Sequence, residues 1–165
     1  MATVGFINPI LEMFQTIFRA TLNTEKDLID NTLGDVASQA IVIEDFQNWT
    51  ELCPMIQIWV VPSENPIQAQ DTEANNINPL WNIITTCIVQ ADTDATLIKN
   101  LDIYLTAMLY SAVKGQSNAW GLDGEADFLI PESMFFTDTF SIEETNKITQ
   151  KGGITWIVDK EYTVT

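Results

Sequence analysis

The chain has 165 residues, 46% of them hydrophobic, and carries 23 acidic residues against 7 basic ones, a formal net charge of −16 with no histidine. That length and apolar share give one domain, residues 1–165, with a core that needs no disulfide or metal, and they exclude global disorder. The charge excludes a free-standing nucleic-acid binder and a polybasic membrane anchor, since neither cationic footprint is present.

The apolar runs are all too short to span a bilayer. No basic segment precedes the first of them, because Arg19 follows it, so no secretory leader is expected. Scattered carboxylates keep a protein soluble. A sharper reading places some of them along a passage through which DNA slides without sticking.

In chain order, Asn8-Pro9 opens a helix: Asn is a good N-cap and Pro suits the first helical position. Ile10, Leu11, Phe14, Ile17, Phe18 and Leu22 form one apolar stripe that predicts packing inward. Glu12 complements the helix dipole at the start, and Arg19 lies toward the other end. Residues 24–36 are polar and broken by Gly34, with room for a separate short helix from Thr24. Residues 41–43 form a short strand or a buried turn.

Pro54 leads a strand over residues 52–61. Ile56, Ile58 and Val60 share one face; Met55, Gln57, Trp59 and Val61 share the other. Apolar character on both faces suits a strand inside a sheet, and Pro is tolerated at its start. Residues 62–79 read as a long polar loop. A returning strand follows over residues 81–89. A turn centred near Gln70 brings Cys53 opposite Cys87. The pair are too few for a disulfide scaffold, and two buried reduced thiols are the favoured account.

Thr93 or Asp94 caps a helix from Ala95 to about Val113, with Leu97, Leu101, Tyr104, Leu105 and Met108 on its periodic face and Lys114-Gly115 as the stop. Residues 117–133 read as loop. Residues 136–142 alternate as a strand, Gly152-Gly153 marks a turn, and residues 154–164 form a final strand antiparallel to the previous one. Two helices against an antiparallel or mixed sheet make an α+β domain.

Chemistry has little to stand on. Without histidine, Ser-His-Asp and Cys-His systems and the common zinc sites are out of reach. No phosphate-binding glycine loop is present. Asp123, Glu125 and Asp127 are spaced like a calcium loop, but Phe128 and Met134 stand where an EF-hand needs Gly and Glu, so a solvated turn is expected there. No catalytic residue, cofactor or metal site is expected.

The proline-led strand, polar loop, returning strand and tyrosine-bearing helix resemble the tail terminator (tail completion) proteins of long-tailed bacteriophages. The resemblance runs from the first helix to the last strand and rests on element order. This chain departs in a longer segment before Pro54 and a longer loop over residues 114–133. The resemblance implies a structural, non-enzymatic virion protein at the tail–neck junction, assembled in the host cytoplasm. It implies a homohexameric ring that caps the tail tube, ends tail polymerisation and joins the head connector or stopper protein, with DNA passing through the lumen unbound and no membrane involved.

A closed ring needs two different complementary patches on each subunit. Candidate contacts with a neighbour or the tube are Glu64, Asp71, Glu73, Trp120, Asp123 and Phe128, in the loops at residues 62–79 and 118–128. Trp59 and Trp81 are further aromatic candidates, with core packing favoured for both. The competing expectations are another neck connector or stopper, an acidic DNA mimic, and a small carboxylate hydrolase.

Overall fold

The structure, a computed structural model, describes residues 8–33, 42–43, 53–60, 67–71, 76–117, 121–142 and 146–163. The elements run α1 (Asn8–Leu33), β1 (Val42–Ile43), β2 (Met55–Val60), β3 (Ile67–Asp71), β4 (Asn76–Ala91), α2 (Asp94–Lys114), a 3-10 turn (Leu122–Gly124), β5 (Phe128–Phe136), β6 (Phe140–Ile142), β7 (Lys147–Asp159) and β8 (Tyr162–Thr163). The sheet order is β1-β2-β4-β7-β5, antiparallel except for the β1–β2 pair. Two helices on one face complete the expected α+β fold. No helix among the described residues is long and apolar enough to cross a membrane.

The first helix departs from expectation by running unbroken through Thr24 to Leu33, so Arg19 lies mid-helix and Glu12 falls outside the first turn. Its buried side continues past Leu22 through Glu25, Lys26 and Asp30, at the same three-to-four spacing. Lys26 Nζ reaches Asp30 Oδ2 at 3.2 Å, one turn on, which lets a buried lysine and aspartate replace apolar residues on that side.

α2 follows the sequence closely. Thr93 is the N-cap, its hydroxyl accepting from the Thr96 amide at 3.3 Å. Gly115 ends the helix with ordinary right-handed angles. Its role is clearance: a Cβ there would lie 2.9 Å from both Ile17 and Thr21 of α1.

Between helices and sheet sits the core of Ile10, Phe14, Phe18, Leu22, Leu97, Leu101, Tyr104 and Met108 against Ile56, Ile83, Ile154, Trp156 and Val158. The Phe14 ring packs at 5.7 Å from that of Trp156, in a tilted arrangement that suits aromatic quadrupoles.

Residues 62–79, expected as loop, contain β3 and the start of β4. Ile67 pairs with Pro79, Gln68 with Asn78, and Asp71 with Asn76, with a bulge between Ala69 and Asp71. The chain therefore turns later than Gln70. Ile56, not Cys53, lies opposite Cys87 in the β2–β4 ladder. The two thiols still sense each other, since Cys53 adds to the upward push that burial gives the Cys87 thiol.

Gly152-Gly153 is not a turn. Both lie inside β7, opposite Cys87 and Thr86 of β4. Strand faces alternate, so each glycine admits a bulky neighbour on one side of the sheet. Leu101 of α2 lies over Gly152, and the Phe135 ring lies over Gly153 on the far face. The last strand accordingly begins at Lys147 rather than Ile154. It is interrupted at Lys160 and Glu161 before β8 pairs with the first residues of β4.

Candidate interaction edge

β5 is the last strand of the sheet, and β6 continues its line: Phe128–Phe136 pair with one stretch of β7 and Phe140–Ile142 with the stretch before it. Residues 137–139 bridge them without leaving β7. The Thr137 amide donates to the Lys151 carbonyl at 2.9 Å, the Lys151 amide donates to Thr137 Oγ1 at 3.1 Å, and Gln150 Nε2 donates to the Thr137 carbonyl at 2.8 Å. Expected strand 136–142 is thus the tail of a longer edge, and the expected loop gives up residues 128–133 to it.

A bulge between Pro131 and Ser133 sets the chemistry of this edge. Before it, Phe128 and Ile130 lie opposite Asp159 and Ile157, on the face away from the helices. After it, Met134 and Phe136 lie opposite Ile154 and Gly152, on the helix-bearing face. The strand therefore shows apolar side chains on both faces. Phe128 is 60% exposed, Ile130 51%, Met134 49% and Phe136 58%. Side chains of this size rarely line one exposed element unless a partner covers them.

Pro131 carries no N–H, and proline in a sheet is tolerated where that N–H would point outward from an edge. With the bulge and exposed Glu132, it interrupts the outward ladder, a common protection against indiscriminate strand addition. What this edge presents outward is side chains more than a continuous main-chain ladder.

Of the residues singled out from sequence, Glu64, Glu73 and Trp120 lie outside the described residues. Asp71 closes the β3–β4 pairing opposite Asn76. Phe128 opens the exposed edge. Asp123 is held locally, its Oδ1 accepting from the Ser117 hydroxyl at 2.9 Å and from the Ser117 amide. The strain is local too: Leu122, Asp123 and Gly124 have φ of 45°, 53° and 102°. The Gln116 side-chain oxygen holds that left-handed turn, accepting from the Gly121 amide at 3.1 Å and from the Leu122 amide. Asp127 Oδ2 accepts from the Glu161 amide at 2.7 Å, and Lys160 Nζ donates to the Gly124 carbonyl at 2.7 Å. The calcium-like spacing therefore serves to tie this turn to the end of β7.

Trp81 packs against the core, and Trp59 lies half-buried on the far face of the sheet. Sequence reasoning missed Ile130 and Met134 and read Phe136 and Phe140 only as strand. The alternation was there, but Pro131 and the one-residue slip at the bulge put Phe128 and Phe136 on opposite faces.

A second surface lies between the C-terminal halves of the two helices. Glu25, Leu28, Ile29, Thr32, Thr106, Tyr110 and Lys114 line a groove of about 320 Å³. Lys114 Nζ bridges to Glu25 Oε2 at 2.9 Å and sits 4.6 Å from the centre of the Tyr110 ring. Leu28 is 53% and Tyr110 42% exposed at its walls. No protein-family model matches the chain, and no curated protein matches it significantly.

Proposed function

We propose that this chain is a structural subunit that works by assembling with its own copies, a tail terminator of the kind its element order resembles. The observation that carries the reading is the β5–β6 edge, with large apolar side chains presented on both faces of a terminal strand. Such an edge suits lateral contact within a ring. In this reading the annulus seats on the tail tube protein, ends polymerisation and offers its other surface to the connector or stopper. The net charge of −16 favours free passage of DNA through the lumen, because like charges repel the phosphate backbone.

Native mass spectrometry and negative-stain imaging of the purified protein test this directly. The expected result is one closed ring of fixed stoichiometry, six copies for a terminator, and labelling of intact particles at the tail–neck junction. A strictly monomeric protein that labels no part of the particle overturns the reading. A twelvefold ring moves the chain to the connector class.

A further inference from the structure

We infer that the groove between α1 and α2 receives the Met134–Phe136 stretch of a second copy, so that each subunit offers a projecting edge on one side and a socket on another. The inference rests on the assembly reading above and names the two surfaces that meet.

The two patches match in size and chemistry. The socket's volume of about 320 Å³ accommodates one or two large apolar side chains, and its walls carry Leu28, Ile29 and the Tyr110 ring. The edge offers Met134 and Phe136, both about half exposed. A thioether and a phenyl ring are suited to an aromatic wall, through sulfur–aromatic and tilted-ring contacts.

Charge complements the fit. Glu132 and Asp138 flank the projecting stretch, and both are exposed. The Lys114 ammonium lies in the groove with its side chain 56% exposed, although Glu25 accepts from it. An ammonium has three donors, so others are left for an incoming carboxylate. In a chain with only 7 basic residues, a half-exposed lysine beside an apolar groove is a selective match for an acid-flanked aromatic strip.

Edge and socket lie on different elements, so one copy's edge can fill a neighbour's socket while its own socket takes the edge of a third, the head-to-tail arrangement. Contacts of that kind propagate until the rotation closes a ring. Edge and socket can also be disabled separately, which gives a test that other modes of association fail.

One variant carries Met134→Asp and Phe136→Asp; the other carries Leu28→Asp and Tyr110→Asp. Circular dichroism confirms that each is folded, and sedimentation velocity reads assembly. Each variant alone is expected to lose association by at least tenfold. Mixed in equal amounts, they are expected to form a heterodimer and nothing larger, because one intact edge meets one intact socket. If either double variant is unfolded, Phe136→Ser and Leu28→Ser carry the same mixing test.

A wild type that assembles while the variants assemble equally well overturns the edge-in-socket contact and leaves the ring reading standing. The same holds for folded variants whose mixture stays monomeric. A wild type that is monomeric at every concentration overturns the edge-in-socket contact, and if it also labels no part of the particle it overturns the ring reading as well.

Discussion

The indole nitrogen of Trp156 donates to the hydroxyl of Thr85, 2.8 Å away, across two adjacent strands in the centre of the core. The same hydroxyl faces the Ile154 carbonyl at 3.5 Å. An indole N–H is costly to bury unpaired, so Thr85 allows the largest core side chain to sit fully inside. Thr85→Val, nearly isosteric, is expected to destabilise the fold by about 1–3 kcal/mol. The adjacent Thr86 is the control. Its buried hydroxyl has no hydrogen-bond partner, so Thr86→Val is expected to be neutral or stabilising. Urea unfolding midpoints of the two variants should move apart.

The paired glycines of β7 carry unequal penalties. A methyl at Gly153 would lie 2.5 Å from the Phe135 ring and 2.7 Å from the Thr85 carbonyl, and the backbone contact cannot be relieved by a rotamer change. At Gly152 the nearest atoms are the Leu101 side chain at 3.1–3.2 Å, which can shift. Gly153→Ala is expected to cost about 1–3 kcal/mol, with Gly152→Ala costing less. Thermal unfolding of both proteins measures the difference.

Lys26 and Asp30 form an ion pair almost wholly removed from water. Removing Lys26 takes a buried cationic partner away from Asp30, so Lys26→Ala is expected to cost about 3–5 kcal/mol. Replacing both with apolar residues of similar size, Lys26→Met with Asp30→Leu, is expected to recover most of that loss. A chemical denaturation cycle over the four proteins gives the coupling.

Burial pushes the Cys53 thiol from its ordinary 9.0 up to about 11, with the Lys147 ammonium pulling the other way. Thiolate is then scarce at neutral pH, roughly three parts in ten thousand at pH 7.5. Alkylation of the folded protein is expected to be slow there and to accelerate as pH climbs toward 11. Cys87, fully buried and pushed higher, is expected to react only on unfolding. The linkage has a definite sign. The fold favours the neutral thiol, so Cys53's contribution to stability is complete below pH 9 and is lost as pH rises through 11. A Cys53→Ser protein should show a shallower fall in stability across that window.

The α+β class, the proline-led strand and the whole of α2 were legible in the sequence, because their periodicity is carried by apolar residues and punctuated by Thr93, Lys114 and Gly115. What escaped has a physical cause in each case. The second half of α1 buries Glu25, Lys26 and Asp30, so a stripe defined by hydrophobicity stops at Leu22 while the buried side does not. Gly152 and Gly153 look like a turn from composition, yet their use is to let Leu101 and Phe135 approach the sheet from opposite sides. The edge at β5 was obscured by the slip after Pro131. The α1–α2 groove joins residues about 80 positions apart in sequence, a proximity that local patterning does not encode.

Sixteen residues of β4 share ladders with β2, β3, β7 and β8, and this strand has neighbours on both flanks at its start and through its centre, Ile83 to Ile88. Its central amides can meet deuterium only when the whole domain opens, while the amides facing outward from β5 and β6 exchange early. The body of the fold is thus stiff where strain would accumulate, and what yields is confined to its rim.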